Sequence, residues 1–437
     1  MYIQNTRSLA TTKERKDILS ILESGLESVK TERVISELVR TSGEKIFLGE
    51  EDITPEKGGR LFVFGVGKCA LHAGQALEGI LGESIAGGVM LDVSKNDACS
   101  LSQVECFVGS HPFPSEANII ASKRIVEVLK ETNEKDTVLF VVSGGGSTLL
   151  YVPEASHTCF EEVDIVRALM YAGASIKEIN TVRKHLSEVR GGNIARYAYP
   201  SRLFALIFSD VPGDDIRSIA SGPTVLDETT TAEAVEVLTR YGVLRSCGLN
   251  NCGLIETPKE KKYFERVKNI LVVSNIRALL AMKARGEALG YKAEVCSSCL
   301  TGEAKEVARD IIERLHTALP RTLLLYGGET TVKVFNKGEK GGRNQELALA
   351  ALQYIQKNET LVAFASDGRD NTETAGAIAD SEILSRANEL GLSVLESLQK
   401  NRSYDFFIQT KGAIITGETG INIADLTIAV KGERSNE

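Results

Sequence analysis

Residues 138–150 have the sequence VLFVVSGGGSTLL, in which an unbroken apolar run stops at three consecutive glycines. Buried parallel strands are short continuous apolar runs, and their ligands bind beyond the carboxyl ends of the strands. Glycines let backbone N–H groups approach a phosphate, while Asp, Lys and Arg supply metal ligands and counter-charge. The same pattern recurs in LFVFGVGK (61–68), LFALIFSDVPGDD (203–215), TLLLYGGETT (322–331) and TLVAFASDGRD (360–370). The five strand ends predict an α/β enzyme that handles phosphates.

The order of the predicted elements indicates two α/β blocks. Helical and strand-like segments alternate between residues 61 and 225, which is typical of a parallel sheet with helices on both faces. Residues 12–40 carry apolar side chains at helical spacing and predict one or two packing helices. Residues 226–268 are polar and are the candidate boundary between the two blocks. We predict a Rossmann-like N-terminal domain at residues 1–260 and a C-terminal α/β domain at residues 261–437, with strand ends facing each other across a cleft.

The length of the chain and its net charge limit the classes of protein to which it can belong. The chain has 437 residues, enough for two domains, and its 51 basic and 59 acidic residues give a formal net charge of −8. This charge argues against a nucleic-acid partner or an anionic membrane surface. No apolar run reaches the roughly 18 residues that cross a membrane, and no secretory signal follows the N-terminus. We expect a cytoplasmic protein with small-molecule partners. Formation of a homodimer is kept as an alternative to a monomer.

The GVGKCA segment (65–70) allows two interpretations. It fits the GxGxxA form of dinucleotide sites, and Asp92 closes a later strand where a ribose-binding acid would lie. Lys68 follows the second glycine, where it could instead hold an anion beside a helix N-terminus. The chain has no GxxxxGK[ST] motif, so the segment is not a P-loop. A solvated lysine without a function is the third alternative for Lys68.

Two loops are candidates for phosphate and metal binding. We assign nucleotide binding to the SGGGS loop, whose backbone could form a nest for phosphate; the residues are Ser143, Gly144, Gly145, Gly146 and Ser147. A tight turn is the alternative for this loop. Asp210, Asp214 and Asp215 follow an apolar strand, and three carboxylates repel one another unless a cation joins them. Because carboxylates and phosphate oxygens hold Mg²⁺, we predict metal ligands at Asp210 and Asp214, with a solvated acidic turn as the alternative.

The segment INTVRKHLSEVRGG (179–192) concentrates polar and basic residues within three predicted helical turns. Asn180, Arg183 and Lys184 share a broad helix face, which suits recognition of a small carboxylate or phosphate. We predict substrate binding by Arg183 and Lys184. A charged face in solvent is the alternative.

The pair GGETT and GGRNQE (327–346) flanks a predicted hairpin. Glu329 at a strand end and Asp367 in the SDGRD stretch are predicted metal ligands. Arg343 follows two glycines and is a predicted anion clamp. Nucleotide binding on this side is assigned to Gly327, Gly328 and Asn344.

These motifs, together with IASGPT (219–224) and the SDG…TAGA stretch (366–377), occur in the order found in the class II glycerate kinases, which the chain closely resembles. These are the glycerate 2-kinases whose C-terminal half is called the MOFRL domain. The resemblance implies a two-domain α/β fold with the active site between the domains. It also implies ATP and Mg²⁺ as requirements and phosphorylation of D-glycerate to 2-phosphoglycerate. The proposed catalytic lysine and arginine of the family match Lys68 and Arg343, and its loop aspartate matches Asp210.

The chain departs from the family pattern at two strand ends. DGRDNTETAGA (367–377) stands where the family resembles DGTDGPTDAAGA, so Arg369 and Asn371 replace small or acidic residues. TGETGINIADL (416–426) stands where the family has TGPTGTNVNDL, so Glu418 replaces a proline. A kinase of a related small hydroxy acid is therefore retained as an alternative.

The expected mechanism is phosphoryl transfer, in which positioning and charge neutralisation matter most. We expect Mg²⁺ near Asp210 and Asp214 to bridge the ATP phosphates, and Lys68 and Arg343 to steady the γ-phosphoryl group. Either Asp210 or Asp367 would take the proton of the attacking hydroxyl. An NAD(P)-dependent hydroxypyruvate reductase is the second candidate, although hydride transfer does not require the acidic loop. A non-catalytic nucleotide sensor is the third, and the number of charged strand ends argues against it.

Overall fold

The computed structural model describes residues 1–93, 101–154, 159–211, 213–243, 253–336 and 338–433, and for residues 159–161 only the backbone. Contacts divide the chain into two compact units. The parallel-sheet unit consists of Thr31–Ser209 and Asp214–Val272. The mixed-sheet unit consists of Met1–Lys30, Asp210–Gly213 and Val273–Glu437.

The strands form three sheets. An antiparallel sheet contains Val39–Ser42 (β1), Lys45–Leu48 (β2) and Glu51–Asp52 (β3). The parallel sheet contains Leu61–Val66 (β4), Ile85–Asp92 (β5), Glu105–Val108 (β6), Thr137–Val142 (β7), Arg202–Phe208 (β8) and Val267–Val273 (β9). The mixed sheet contains Lys292–Leu300 (β10), Thr322–Gly328 (β11), Glu359–Ala365 (β12), Gly376–Asp380 (β13), Ala413–Ile414 (β14) and Asp425–Lys431 (β15).

The α-helices of the described residues surround these sheets. Those up to residue 198 are Thr6–Leu9 (α1), Lys13–Ser28 (α2), Thr31–Leu38 (α3), Ala70–Leu81 (α4), Glu116–Lys130 (α5), Gly146–Leu149 (α6), Cys159–Tyr171 (α7), Ile176–His185 (α8) and Asn193–Ala198 (α9). The later ones are Thr231–Arg240 (α10), Asn275–Ala288 (α11), Ala304–Thr317 (α12), Arg343–Ala351 (α13), Ser381–Glu389 (α14), Val394–Gln399 (α15) and Ser403–Thr410 (α16). Among the described residues, no helix combines the length and apolar character that a bilayer crossing requires.

Strand β4 is the point at which the order of the parallel sheet reverses. The order is β6-β5-β4-β7-β8-β9, so Val66 at the end of β4 pairs with Leu91 on one side and Val142 on the other. Strands β4 and β7 are buried along their whole length, which explains their unbroken apolar sequences. Ligands of open α/β sheets bind beyond the carboxyl ends of the strands at such a reversal. The GVGK and SGGGS loops therefore lie where a ligand is expected.

Strand β15 lies at the centre of the mixed sheet and runs antiparallel to both neighbours, in the order β10-β11-β15-β12-β13-β14. Its first residue, Asp425, pairs with Gly328 at the end of β11 and with Ala365 at the end of β12. One edge of this sheet consequently gathers the start of β15 and the ends of β11 and β12. Glu329 and Asp367 follow these two strands in sequence and stand at the same edge.

The N-terminal helix α2 packs in the mixed-sheet unit. Two side chains of α11 bond to it: Arg277 Nε donates to the Ser28 carbonyl at 2.8 Å, and Arg285 Nε donates to Ser20 Oγ at 3.0 Å. Arg15 of α2 is completely buried and forms a two-bond ion pair with Asp380, at 2.5 and 2.6 Å. These contacts explain why the first thirty residues cluster with the mixed-sheet unit.

The predicted α/β fold, with a parallel sheet in the N-terminal part and a second α/β block, is confirmed by the two six-stranded sheets and their helices. The boundary predicted between residues 260 and 261 stays a prediction. The contact units divide the chain differently, since residues 1–30 pack with the second sheet and β9 completes the first.

Two local predictions, the hairpin and the length of the helix that carries Arg183, are wrong. The hairpin predicted within residues 327–346 is replaced, in the described part of this segment, by irregular backbone with a single bridge from Thr331 to Glu303. The candidate boundary at residues 226–268 contains helix α10, which Thr230 and Glu233 begin with a capping box; residues 244–252 lie outside the described residues. Helix α8 ends at His185, so Arg190 is not part of it.

Candidate active site

The GVGK and SGGGS loops are joined by backbone hydrogen bonds at the reversal point of the parallel sheet. Ser143 N donates to the Val66 carbonyl and Lys68 N donates to the Gly144 carbonyl, each at 2.9 Å. Gly67 has a φ of +120°, and a Cβ atom there would lie 2.1 Å from Ser143 Oγ and 2.6 Å from its carbonyl oxygen. Only glycine fits this position, so the two predicted loops form one rigid structure.

Three basic side chains surround this double loop. A Cβ atom on Gly145 would lie 3.4 Å from Lys68 Cγ and 3.4 Å from His111 Cδ2, which places both side chains beside the loop. Arg183 Nη2 donates to the Ser147 carbonyl at 3.0 Å. Burial, followed by the charges of Lys68 and Arg183, lowers the pKa of His111 below its ordinary value of 6.5. The local potential is therefore positive, which favours an anionic ligand.

A buried ion-pair group holds Arg183 in place. The Glu162 carboxylate accepts from Arg183 Nε at 3.3 Å and from Arg190 Nη1 at 2.7 Å. Both Glu162 and Arg190 are buried, and burial followed by the charge of Arg190 lowers the pKa of Arg183. Because two guanidinium groups share one carboxylate, the group retains a positive charge next to the Ser147 carbonyl.

The IASGPT segment (219–224) has a strained backbone and contacts the SGGGS loop. Ala220 and Ser221 are buried and adopt left-handed conformations, with φ of +49° and +59°. Ser221 Oγ donates to Ser147 Oγ at 3.0 Å. Non-glycine residues keep this conformation only where the surroundings impose it, commonly at functional sites. The IASGPT motif thus contributes support for the loop.

Lys184 and its neighbour Arg183 contact different partners, and Lys184 forms a buried ion pair with Asp227. Its Nζ lies 3.0 Å from Asp227, whose carboxylate also accepts from Thr229 and Thr257. Burial acts to raise the pKa of Asp227, but the Lys184 charge and the Thr229 hydroxyl leave it below its ordinary value. Substrate binding by Lys184 stays a prediction, and it would have to compete with this pair.

The three aspartates of the acidic loop after β8 differ in their contacts and in their backbone conformation. Asp210 accepts from Asn422 Nδ2 at 3.1 Å. Asp215 pairs with Arg217 at 2.8 Å, and Asp214 adopts a left-handed conformation with a φ of +55°. In the part of the chain that the structure describes, no three Asp, Glu, His or Cys side chains converge on one point. A cation at this loop would therefore need oxygen ligands from a bound phosphate as well.

Asp92 does not fit the ribose-binding role of the dinucleotide interpretation. It is buried, and its carboxylate accepts from Leu71 N in the first turn of α4 at 3.0 Å. It also accepts from its neighbour Val93 N at 2.6 Å. A carboxylate engaged with a helix N-terminus is not available to hydroxyl groups of a ribose, so the GxGxxA match loses its acidic partner.

In the mixed-sheet unit, Arg343 is held by two carboxylates. Its Nε and Nη2 donate to Asp425 at 2.5 and 3.1 Å, and Nη2 lies 2.9 Å from Glu329 Oε1. Burial raises the pKa of Asp425 to about 7 against the opposing charge of Arg343. The Arg343 pKa stays above its ordinary value: burial acts to lower it, and Asp425 outweighs that effect. Glu329, a predicted metal ligand, thus forms an ion pair.

The start of helix α13 is capped by Asp370, which lies on the SDGRD stretch. The buried Asp370 carboxylate accepts from the backbone N–H groups of Asn344 at 3.1 Å and Gln345 at 2.7 Å. It also accepts from both of their side chains. Burial raises the pKa of Asp370 despite these donors. The Asn344 side chain is therefore engaged in the protein, and its predicted contact with a nucleotide stays a prediction.

A cavity of about 640 Å³ opens beside Arg343 in the same unit. Its lining includes Arg343, Asp367, Arg369, Asn371, Glu339 and Asn401. This volume lies within the roughly 300–1,000 Å³ of small-molecule sites. The two departures from the family pattern meet at its edge, where Arg369 Nη2 lies 3.0 Å from Glu418 Oε1. The two side chains form an exposed ion pair.

Gly327 and Gly328 are explained by packing within the protein. A Cβ atom on Gly327 would lie 2.9 Å from Asn275 Nδ2, and one on Gly328 would lie 2.3 Å from the backbone of Leu300. Their role in nucleotide binding stays a prediction, since β10 and α11 alone account for both glycines.

Sequence reasoning missed three residues that shape these sites: His111, Glu162 and Asp425. It included Asp370 in the SDGRD stretch but missed its contact with the start of helix α13. His111 follows strand β6 in the segment GSHPFP (109–114), so the rule of polar residues after a strand could have found it. Asp425 precedes the apolar run LTIAV, but an acid at a strand start is an ordinary turn signal. Nothing in the local sequence marks Glu162 or Asp370 as partners of distant residues.

Comparison with known proteins covers nearly the whole chain. Residues 17–249 match the family described as Domain of unknown function (DUF4147), and residues 322–425 match the MOFRL family. A glycerate 2-kinase of Pyrococcus horikoshii is 34% identical over 431 residues, which cover 94% of this chain and 96% of that protein. A D-glycerate 2-kinase of Thermotoga maritima is 34% identical over 92% of this chain and 99% of that protein. The crystal structure of a glycerate kinase from Thermotoga maritima superposes with a TM-score of 0.83 at 32% identity, covering 95% of this chain and 99% of that one.

Proposed function

This chain belongs to the glycerate kinase family, and on that premise we propose that it transfers the γ-phosphoryl group of ATP to the 2-hydroxyl of D-glycerate, giving ADP and 2-phosphoglycerate. The observation that carries the proposal is the positive double loop at the reversal point of the parallel sheet. Lys68 and Arg183 contribute the charge there. The N–H groups of Ser143 and Gly146 bond to protein carbonyls, so the other N–H groups of the SGGGS loop are the proposed donors to phosphate. Anionic groups such as phosphate and carboxylate are what this arrangement suits.

The proposed roles follow the chemistry of phosphoryl transfer, in which fixed positive groups neutralise charge on the transferring phosphoryl. Lys68 and Arg343 steady the γ-phosphoryl group. Arg183 binds the glycerate carboxylate with guanidinium N–H groups other than those that donate to Glu162 and to the Ser147 carbonyl, and these two contacts orient the guanidinium. Lys184 is the weaker candidate for that contact because Asp227 already holds it.

The donor set fits Mg²⁺, since it consists of carboxylate oxygens. Mg²⁺ is usually bound through one or two carboxylates and the phosphates of its substrate. The candidates for those carboxylates are Asp210, Asp214, Glu329 and Asp367, of which one or two would hold the ion together with ATP phosphates. When bound, the ion would neutralise charge on the nucleotide. Glu329 would have to leave Arg343 to take part.

The proton of the attacking hydroxyl would pass to Asp210 or Asp367, and both stay candidates. The hydrogen bond from Asn422 orients the Asp210 carboxylate. The cytoplasmic location and the homodimer stay predictions as well.

The first test is replacement of Lys68 with alanine, followed by ADP release from ATP with a set of small hydroxy acids. We expect turnover of D-glycerate to fall by about 10²–10⁴-fold, the range for removing one group that stabilises transition-state charge. Lys262→Ala is the matched control, since Lys262 is an exposed lysine of the same unit that pairs with Glu260. Near-normal turnover in Lys68→Ala would remove Lys68 from the mechanism. Oxidation of NADH or NADPH with hydroxypyruvate, without ADP release from glycerate, would replace the kinase by the reductase.

A further inference from the structure

We propose that Asp425 is a positioning residue for phosphoryl transfer, which fixes the plane and the position of the Arg343 guanidinium. The proposal rests on the proposed function, because it assumes that Arg343 acts on the transferring phosphoryl group. The first evidence is the geometry of the pair. Asp425 accepts from both Nε and Nη2 of Arg343, at 2.5 and 3.1 Å. Two such bonds fix the orientation of a planar guanidinium as well as its distance.

The second observation is that Asp425 itself cannot shift without disturbing the sheet. It is the first residue of the central strand β15, and its backbone is paired with Gly328 on one side and Ala365 on the other. Its side chain is only 6% exposed. A carboxylate anchored between two neighbouring strands is a rigid support for whatever it binds.

The third observation concerns the other end of the arginine. Arg343 is the first residue of helix α13, and the Asp370 carboxylate binds the next two backbone N–H groups of that helix, those of Asn344 and Gln345. The backbone and the guanidinium of Arg343 are thus fixed independently. Between these two points the side chain is still 37% exposed and lines the cavity of about 640 Å³. It can contact a ligand while Asp425 holds it.

Glu329 differs from Asp425 in each of these respects. It lies 2.9 Å from Nη2 of the same guanidinium, and its side chain is 39% exposed. It follows the last residue of β11 and so lies beyond the paired part of the strand. Asp425 is therefore the fixed partner of Arg343, and Glu329 is the one that an anionic ligand can displace.

The test is a double-mutant cycle on the full-length chain, with kcat and KM measured by ADP release from ATP and D-glycerate in the presence of Mg²⁺. Asp425→Asn keeps the shape of the side chain and weakens the two-bond contact with the Arg343 guanidinium, here called the fork. We expect it to lower kcat by about 10²-fold, the cost of a misplacement near 1 Å, with KM for ATP changed less than about threefold. In the Arg343→Ala background the same change should lower kcat by less than about threefold, because Asp425 acts through Arg343.

Asp380→Asn is the control for loss of a buried ion pair as such. Asp380 forms a fork of the same kind with Arg15 in the same unit, at 2.5 and 2.6 Å, and it does not line the cavity. This variant should lose thermal stability and keep the wild-type kcat. If Asp425→Asn does not fold, as judged by circular dichroism, Asp425→Glu takes its place in the cycle, since one extra methylene also displaces the guanidinium.

The outcomes separate the two proposals. Wild-type protein without ADP release from glycerate would overturn the proposed function itself. With an active wild type, an equal loss of kcat from the Asp425 variant in both backgrounds would overturn the positioning role. A loss in Asp380→Asn as large as that in the Asp425 variant, or no loss in the Asp425 variant, would overturn it too.

Discussion

Replacement of Gly67 with alanine tests whether the two loops at the reversal point form one rigid structure. The φ of +120° at Gly67 is a conformation that L side chains rarely adopt. The new Cβ would also lie 2.1 Å from Ser143 Oγ and 2.6 Å from the Ser143 carbonyl oxygen. The hydroxyl could rotate away, but the carbonyl belongs to backbone that is bonded to β4. The loops would have to separate.

The expected magnitude follows from these two contributions. A non-glycine residue in a forbidden backbone region costs about 1–3 kcal/mol, and a forced overlap in a packed site costs about 1–3 kcal/mol more. Together they give roughly 4 kcal/mol, which corresponds to a fall in melting temperature on the order of 10 °C for a unit of this size. Turnover should fall as well, because Lys68 follows directly and its N–H bonds to the SGGGS loop.

Calorimetry of three alanine variants separates the contributions. Gly79 lies within helix α4 with open space around it, so Gly79→Ala should stabilise the chain by about 0.5–1 kcal/mol. Gly82 has a φ of +50° and a ψ of −129° and also faces open space, so Gly82→Ala measures a backbone cost without a clash, about 1–3 kcal/mol. A Gly67→Ala variant that melted within 2 °C of Gly82→Ala would show that the loops are not locked together.

Two further predictions concern protonation. Binding of ATP should raise the pKa of His111, because an anion would offset the charges of Lys68 and Arg183 that lower this pKa. NMR of the labelled imidazole can follow the pKa, with His111→Gln as the assignment control. An unchanged or lower pKa would place the nucleotide elsewhere. Asp425 has a folded-state pKa of about 7, above its ordinary 3.8, so the folded state binds this proton more tightly than the unfolded chain does. Its contribution to stability is full below pH 3.8 and is lost as the pH rises through about 7. The melting temperature of the wild type should therefore fall relative to Asp425→Asn between pH 5 and 8.5, and a constant difference would contradict the assignment.

The strands that could be predicted from sequence are those buried on both faces. LFVFGV and TVLFVV are continuous apolar runs because helices cover the sheet on each side, and no distant information is needed to recognise them. The VKVF stretch after Thr331 failed as a hairpin because a strand also needs a pairing partner, which local pattern does not provide.

In the candidate site, too, some residues could be predicted from local sequence and others could not. Lys68, the SGGGS loop and Arg343 stand at strand ends or at a helix start, and their positions follow from local sequence. Asp425 could not be predicted as a partner of Arg343, which it meets across 82 residues. The burial that raises the pKa of Asp425 likewise depends on the assembled sheet and not on neighbours in sequence.

The reaction proposed for this chain is phosphorylation of glycerate at its 2-hydroxyl group. Phosphorus NMR of a mixture of the protein, ATP, Mg²⁺ and D-glycerate tests it most directly. The account predicts ADP together with a new phosphate monoester signal split into a doublet by the single proton at C2. A triplet from the two protons at C3 would contradict the predicted position of transfer. ATP left intact in the presence of glycerate would contradict the kinase activity itself.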